Sequence, residues 1–375
     1  MAGHRAGHVA VSQRVLVLSA GNGAASNLIR SLQAGHVEVS GAHWDRFVLK
    51  KSPAARNFLL PATDDAAFVP ALAALLDSED IALVLPGHDD DARALSDSRD
   101  ALGGRVFMPA AHVIDLCQDK YRATQALRAR GVPSPRTEPI HDLDDVERIF
   151  AAFGAPERLW CRIRVGSGSR GAIPVVRPAQ ARAWIEYWSE MRGVAVNTFT
   201  LSEYLPGRDF NAQALWRDGQ LVLVKTCERL SYFGGGSQPS GMSSTPGLAR
   251  TVVEPGVVDI CTRAIQAVDP RATGVFSIDL RADAAGVPNV TEINAGRFAM
   301  ITSFYDLTGR HNMAATAVRL ARGERVDIPD PYDAVEDHYM VRDLDTLPGI
   351  FHADALFEGV EEAAEPGSTD GSRRR

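Results

Sequence analysis

The sequence predicts an α/β protein, with a parallel-sheet unit in its first 112 residues and a part of α+β character after it. Three observations lead to this prediction. Short apolar runs alternate with amphipathic segments as far as residue 112, which is typical of parallel strands joined by helices. From residue 198 onward the pattern is rich in strands. Residues 275–294 alternate and contain a turn-like Ala285-Gly286, which predicts a hairpin.

The first unit reads as strand, glycine turn and helix, followed by further strands and helices. A buried apolar run over 14–20 ends in Gly21-Asn22-Gly23, which marks the carboxyl end of a strand. The pattern predicts strands at 14–20, 47–49, 81–86 and 106–108, and helices at 24–33, 64–76 and 89–102. This order favours a parallel sheet covered by helices, with a boundary near residue 112.

The rest of the chain mixes helices with strands that run in sequence. Asp218-Gly219 predicts a hairpin turn between two of these strands. Residues 233–246 are rich in glycine, serine and proline and predict a mobile loop, and the tail 361–375 is of low complexity and is expected to be disordered. We predict helices at 119–130, 142–153, 179–191, 257–268 and 312–322, and strands at 160–164, 172–176, 199–205, 210–216 and 221–227.

The hairpin brings three oxygen-bearing side chains together. Symmetric pairing about the turn places Asp279 opposite Glu292, and Asn294 shares the face of Glu292. Opposed carboxylates repel, so a positive group should lie between them. Two carboxylates and an amide oxygen suit a hard divalent cation with room for phosphate. The alternative is an edge hairpin whose acids are solvated.

Composition limits the classes of function. A net charge of −7 argues against general nucleic-acid binding, which needs a basic surface. No apolar run approaches the ~20 residues needed to span a bilayer, and 1–14 lacks a signal-peptide pattern, so we expect a cytoplasmic protein without membrane contact. Only four of the 40 basic residues are lysines, and neither the four scattered cysteines nor the ten histidines have metal-ligand spacing.

Two glycine-rich segments and one acidic run allow alternative interpretations. Gly21-x-Gly23 is an incomplete dinucleotide fingerprint, so a structural turn that lines a pocket is favoured over NAD binding. The loop 166–171 combines three glycines, two serines and Arg170, which favours phosphate binding over a flexible hairpin tip. Asp89-Asp90-Asp91 is interpreted as an exposed acidic cluster at a helix start.

Four motifs in order resemble the ATP-grasp superfamily, in particular the branch similar to the large subunit of carbamoyl phosphate synthetase. They are Asp119-Lys120 with Gly131-Val132-Pro133-Ser134-Pro135, the segment Cys161 to Gly171, Ser202 to Phe210, and Thr291 to Arg297. The resemblance implies a Rossmann-like N-terminal domain (1–112) and a two-lobed ATP-grasp domain, with a small lobe (113–195) and a large lobe (196–330). A C-terminal extension (331–360) and the tail (361–375) would follow.

The resemblance also implies roles for individual residues. ATP and one or two Mg²⁺ ions, or Mn²⁺, would be the cofactors. Asp279, Glu292 and Asn294 would hold the metal, and Arg297 would contact the γ-phosphate or an acyl phosphate. Arg162 stands where the family usually has lysine, and Asp209 where it has glutamate. Residues implied for the nucleotide are Lys120, Arg162, Ser167, Gly168, Ser169, Glu203, Tyr204, Leu205 and Asp209.

The activity implied is an ATP-dependent carboxylate–amine ligase that forms an acyl phosphate and releases ADP and phosphate. The loop 233–241 could exclude water, and Lys225 and Arg229, which flank it, could reach substrate or phosphate. Small-molecule acids and amines would be the substrates, and a homodimer is a further expectation. The alternatives are phosphoryl transfer to a hydroxyl group, nucleotide binding without turnover, and an NAD-dependent oxidoreductase.

Overall fold

The computed structural model describes residues 14–154, 156–166, 168–343 and 349–355. Its strands form one parallel sheet and two antiparallel sheets. The predicted tail 361–375 and the end of the predicted extension lie outside the described residues.

The N-terminal sheet is parallel, as predicted. Its strands are β1 (Val15–Val17), β2 (Val39–His43), β3 (Arg56–Leu59) and β4 (Leu83–Leu85), in the order β3-β2-β1-β4. The helices of this unit are α1 (Gly23–Ala34), α2 (Arg46–Leu49), α3 (Phe68–Ser78) and α4 (Asp89–Asp97). Because β1 and β4 are neighbours, the turns that follow them meet at one edge of the sheet.

The predicted strand at 47–49 is wrong, because these residues form the short helix α2. The side chain of Asp45 accepts hydrogen bonds from the backbone N–H groups of Phe47 and Val48, which starts the helix. The second strand is instead β2, whose sequence is too small and polar to stand out as an apolar run. Residues 106–108, predicted as a strand, belong to no strand.

A small antiparallel sheet follows, with the strand order β5-β8-β6-β7. Its strands are β5 (Thr137–Pro139), β6 (Leu159–Ile163), β7 (Ile173–Val175) and β8 (Phe199–Glu203), and the nearby helices are α5 (Ala111–Gln118), α6 (Lys120–Ala129), α7 (Asp145–Ala152) and α8 (Pro178–Arg192). Strands β5 to β8 with α7 and α8 are called the small lobe below. Strand β8 pairs with β6, so the small lobe extends past the predicted boundary at residue 195.

The largest sheet has seven antiparallel strands in the order β13-β12-β9-β10-β11-β14-β15. Helix α9 packs on one face, and α5 and α6 pack against β13. The strands are β9 (Asp209–Arg217), β10 (Gln220–Tyr232), β11 (Pro246–Thr251), β12 (Gly274–Ala282), β13 (Pro288–Ala295), β14 (His338–Val341) and β15 (Gly349–His352), and the helices are α9 (Pro255–Val268), α10 (Thr302–Thr308) and α11 (Met313–Ala321).

The N-terminal sheet and the seven-stranded sheet share their hydrophobic cores, whereas the small lobe has its own. Leu16 of β1 belongs to the same buried cluster as Phe276 of β12, and Val15 to the same cluster as Leu215 of β9. The small lobe is built around Ile149, Cys161 and neighbouring residues in a separate cluster. The N-terminal unit and the large lobe are therefore one packed body.

Two further findings concern the chain as a whole. Every helix in the described parts of the chain is too short or too polar to cross a bilayer. The four cysteines are free and buried, and burial raises the pKa of Cys117, Cys161 and Cys227 to about 12. A buried thiol with a raised pKa is unreactive, because the thiolate is the nucleophile.

Candidate functional site

A cavity of about 480 Å³ lies where the small lobe, the seven-stranded sheet and the N-terminal unit meet. The small lobe contributes the end of β8 and the loop 166–171, which is called the glycine loop below. The large sheet contributes β9, β10, β12 and β13, and the N-terminal unit contributes the turns after β1 and β4. Of the residues predicted for the site, those that line it are Lys120, Arg162, Gly168, Ser169, Glu203, Tyr204, Leu205, Asp209, Arg229, Asp279, Glu292, Asn294 and Arg297.

The hairpin of β12 and β13 has the register predicted from the sequence. Asp279 lies opposite Glu292, and Ser277 lies opposite Asn294. The register shifts by one residue after Asp279, so the two strands are irregular at the point where the carboxylates meet. Asp279, Glu292 and Asn294 all line the cavity.

Positive side chains of the protein itself balance the two opposed carboxylates. The Nζ atom of Lys120 lies 3.2 Å from Glu292 Oε1 and donates to the backbone carbonyl oxygen of Gly166 at 2.6 Å. The Nη1 atom of Arg229 donates to Asp279 Oδ1 at 2.9 Å. The predicted positive group between the acids is therefore present as lysine and arginine.

Arg162 is buried in the cavity wall with part of its guanidinium unsatisfied. Its Nη2 donates to the backbone oxygen of Thr291 at 3.1 Å, while its Nε has no hydrogen-bond partner among the described residues. Burial lowers the pKa of Arg162, although Glu292 and Asp279 act in the opposite direction. A buried cation with a free donor suits an anion such as phosphate.

Arg229 and Asp209 form a second charged pair behind Asp279. The Nε atom of Arg229 donates to Asp209 Oδ1 at 2.7 Å, and the hydroxyl group of Tyr232 donates to Asp209 Oδ2 at 2.7 Å. The amide of Asn211 donates to Asp279 Oδ1 at 2.8 Å. The sequence predicted none of this network, because it depends on register between β9, β10 and β12.

The glycine loop forms the roof of the cavity. Gly166 and Gly168 have φ values of 131° and 75°, which glycine adopts without strain, and Ser169 has a φ value of 56°. Gly166, Gly168, Ser169 and Arg170 line the cavity. Ser167, which was predicted to bind phosphate, lies outside the described residues.

An aromatic wall lies at the end of the cavity near β8. The rings of Trp160 and Tyr204 have centroids 6.4 Å apart, and the guanidinium carbon of Arg158 lies 4.7 Å from the centroid of Tyr204. The carboxylate of Glu203 accepts a hydrogen bond from the backbone N–H of Arg136 at 2.7 Å. Trp160 was not predicted for the site, although strand alternation places it on the same side of β6 as Arg162.

Arg297 connects Asn294, one of the predicted metal ligands, with the N-terminal unit. Its Nη2 donates to Asn294 Oδ1 at 2.6 Å, and its Nε donates to Asp89 Oδ1. The interpretation of Asp89 to Asp91 as an exposed cluster is therefore wrong for two of the three residues. Asp89 pairs with Arg297, and buried Asp91 accepts from the N–H groups of Gly87 and His88 at the start of α4.

Lys225 does not lie at the site, and the expectation that it reaches substrate is wrong. Its side chain is 2% exposed, and its Nζ lies 3.3 Å from Asp306 Oδ1 and 3.1 Å from Asp333 Oδ2. It also donates to the backbone oxygens of Tyr305 and His311. Burial alone would raise the pKa of Asp333, but Lys225 and two backbone N–H groups lower it to about 2. Lys225 is a structural residue.

The opposite end of the cavity is formed by backbone turns. Asn22, Gly23 and Ala24 follow β1, and Gly87 and His88 follow β4, at the carboxyl edge of the parallel sheet. The expectation that the Gly21-x-Gly23 turn lines a pocket agrees with this arrangement. Sites in open α/β sheets commonly lie at this edge.

The donor set of the hairpin fits a hard cation that is shared with phosphate. Among the residues that the structure describes, no three His, Cys, Asp or Glu side chains gather as a metal site. Asp279, Glu292 and Asn294 do line the cavity, and Asn294 Oδ1 accepts a hydrogen bond from Arg297. Mg²⁺ commonly takes one or two protein carboxylates and completes its shell with phosphate oxygens and water.

No model of a known protein family matches the chain. The order and direction of the strands agree with the two-lobed α/β fold that the sequence predicted, and solved structures share this fold. The biotin carboxylase domain of a 2-oxoglutarate carboxylase from Hydrogenobacter thermophilus, solved with MgADP, ADP and bicarbonate, is similar with a TM-score of 0.68 and 15% identity, covering 88% of this chain and 73% of that one.

Two other solved structures have the same fold. An L-amino acid ligase from Bacillus licheniformis has a TM-score of 0.66 at 15% identity, over 88% of this chain and 79% of that one. A carboxyaminoimidazole ribonucleotide synthase from Aspergillus clavatus, solved with ATP, has a TM-score of 0.65 at 15% identity, over 88% of this chain and 81% of that one. At this level of identity the likeness concerns the fold.

Proposed function

We propose that this protein is an ATP-dependent carboxylate–amine ligase that forms an amide through an acyl-phosphate intermediate and releases ADP and phosphate. One observation carries the proposal. The opposed Asp279 and Glu292 share a single cavity with Lys120, with buried Arg162, whose Nε has no partner among the described residues, and with a glycine loop. The solved structures with the same fold support it, since they include an amino acid ligase and proteins crystallised with ATP or MgADP.

The nucleotide would lie between the small lobe and the large sheet. Its base would pack against Trp160 and Tyr204, beside the backbone of Glu203 and Leu205. Its phosphates would lie under the glycine loop, within reach of Lys120 and Arg162. Asp209 is committed to Arg229 and Tyr232, so a contact with the ribose would use an oxygen that already accepts a hydrogen bond.

Asp279, Glu292 and Asn294 would hold one or two magnesium ions. A bound magnesium ion would neutralise the charge of the terminal phosphates. Arg297 is oriented by Asp89 and Asn294 and would stabilise negative charge on the transferred phosphoryl group. Lys120 would exchange Glu292 for a phosphate oxygen when the nucleotide binds.

The acid and the amine would bind near the turns after β1 and β4. These turns, with Ala299, Met300 and Ile301, complete the cavity beyond Arg297. Met242, Ser243 and Ser244, from the loop between β10 and β11, also line the cavity. Acyl phosphates hydrolyse, so this loop would exclude water during the reaction.

The test measures ADP and phosphate release across panels of carboxylic acids and amines in the presence of Mg²⁺. We expect an acid to stimulate ADP formation, and hydroxylamine to trap the activated acid as a hydroxamate. Release of ADP with a hydroxyl acceptor and without a hydroxamate would instead indicate phosphoryl transfer to that hydroxyl group. If no acid stimulates ADP formation, the ligase proposal fails.

A further inference from the structure

Arg229 is the most completely engaged cation in the cavity wall. Its Nε and Nη2 lie 2.7 Å and 2.5 Å from Asp209 Oδ1, and its Nη1 lies 2.9 Å from Asp279 Oδ1. Nη2 also donates to the backbone oxygen of Phe210 at 3.3 Å. All three nitrogens of the guanidinium therefore have partners within the protein.

These contacts argue against a direct role of Arg229 in binding phosphate. Tyr232 holds the other oxygen of Asp209, so the Arg229–Asp209 pair is fixed from both sides. Asn211 donates to the same oxygen of Asp279 as Arg229 does, and the hydroxyl group of Tyr305 donates to Asn211 Oδ1 at 2.9 Å. The Oδ1 atom of Asp279 is thus taken by the protein, and its Oδ2 is the oxygen left for a ligand.

The cations of the protein offset the acids around the hairpin. Three acids, Asp209, Asp279 and Glu292, contact or face four cations, Lys120, Arg162, Arg229 and Arg281. Arg297 and Asp89, which lie next to them, form a further neutral pair. A free divalent cation that approaches Asp279 therefore meets no excess of negative charge, and Coulomb attraction to the site is small.

We propose that Arg229 is a positioning residue that fixes Asp279 and, by balancing its charge, makes metal binding depend on the nucleotide. The proposal rests on the metal site of the proposed function. The phosphates of a bound nucleotide supply negative charge, because the acids of the protein are already offset by its own cations. Metal then enters only together with a nucleoside polyphosphate, and Asp279 offers it one preset oxygen.

Mn²⁺ binding to the full chain, followed by electron paramagnetic resonance, tests this proposal without turnover. In the wild-type protein we expect weak binding without nucleotide and about tenfold or greater strengthening by ADP. Arg229→Met removes the positive charge that contacts Asp279, so its affinity without nucleotide should rise about tenfold. Arg250→Gln, which removes an arginine paired with Glu228 outside the cavity, should leave both affinities unchanged.

The double variant D209N/R229M removes one charge of each sign, so the net charge of the cavity wall stays that of the wild type. Without nucleotide its Mn²⁺ affinity should match that of the wild type, and with ADP it should fall because Asp279 is no longer held. This variant also provides the test if R229M does not fold.

The outcomes separate this proposal from the proposed function. Equal nucleotide-free affinity in folded R229M and wild type, tight nucleotide-free binding in wild type, or wild-type affinity of the double variant with ADP each overturn the role of Arg229. If the wild-type protein binds no Mn²⁺ even with ADP, the metal site of the proposed function fails as well.

Discussion

Glu292 links a cation at the start of α6 to the acids of the large sheet. It forms an ion pair with Lys120, lies opposite Asp279 and lines the same cavity as Asn294. Glu292→Gln replaces one carboxylate oxygen by an amide nitrogen, which preserves the shape of the side chain and removes its charge. The substitution should therefore affect activity and not the fold.

We predict that Glu292→Gln lowers Mg²⁺-dependent ADP formation by about a hundredfold or more, because a charged metal ligand is lost. The melting temperature should stay near that of the wild type. Glu254→Gln, in an acid paired with Arg208 outside the cavity, is the control. Turnover close to the wild-type rate in Glu292→Gln would remove Glu292 from the metal site.

Lys225 has the opposite character, and its replacement should affect stability. Lys225→Met leaves Asp306 and Asp333, both with fully buried side chains, without their shared cation. We expect a loss of about 3–5 kcal/mol in the free energy of unfolding, measured by urea denaturation. Arg263→Met, which breaks an exposed pair with Asp259, should change it by less than about 1 kcal/mol. A loss of turnover at unchanged stability would contradict this prediction and indicate that Lys225 takes part in the reaction.

At the scale of the elements, long periodic segments and tight turns could be predicted, and short polar strands could not. In the hairpin of β12 and β13 the pairing of Asp279 with Glu292 was predicted correctly, whereas the pairs nearer the turn are shifted by one residue. Strands β2, β3 and β5 were missed, since they are short and gain their stability from neighbours on the sheet. Helix α10 was missed because its seven residues are too few to show a clear helical period.

Only those residues of the site that lie in sequence motifs could be predicted. Motifs indicated Lys120, Arg162, Asp279, Glu292 and Asn294, all of which face one cavity. The pairs Arg229–Asp209 and Arg297–Asp89 join residues that are 20 and 208 positions apart, so only the folded chain reveals them. Lys225 stands four positions before Arg229 on β10 and yet faces a different cluster.

The turn after β1 is an element that requires glycine. Gly21 has a φ value of 93°, and a Cβ atom there would overlap the backbone carbonyl group of Val48 at the end of α2. We predict that Gly21→Ala lowers the free energy of unfolding by about 3 kcal/mol or more.

Gly193→Ala is the matched control for that substitution. Gly193 has a φ value of 64°, but a Cβ atom there would meet no other atom within 4 Å. The left-handed conformation alone should lower the free energy of unfolding by about 1–2 kcal/mol. Equal losses in the two variants would show that the contact with Val48 is unimportant.

At the scale of the whole molecule, the small lobe is the part that can move. Its core is separate, whereas the N-terminal unit and the large lobe share theirs. It meets the large sheet through polar contacts such as that of Arg162 with Thr291. Nucleotide binding between them should therefore draw the small lobe closer.

We predict that ADP with Mg²⁺ slows amide hydrogen exchange in the glycine loop and in the loop after β10, and lowers the radius of gyration in solution scattering. The shared core of the other two parts should exchange equally slowly with and without ligand. The Glu292→Gln variant should show a smaller response to Mg²⁺. Identical exchange in both loops with and without ADP would contradict closure of the small lobe.

The scarcity of lysine has a practical consequence for chemical labelling. Of the four lysines, Lys120 is 9% exposed and Lys225 is 2% exposed, while Lys50 and Lys51 are adjacent and exposed at the end of α2. Apart from the terminal amine, an amine-reactive dye or resin would therefore attach to the folded protein at one place. Molecules immobilised through Lys50 or Lys51 would therefore share one orientation.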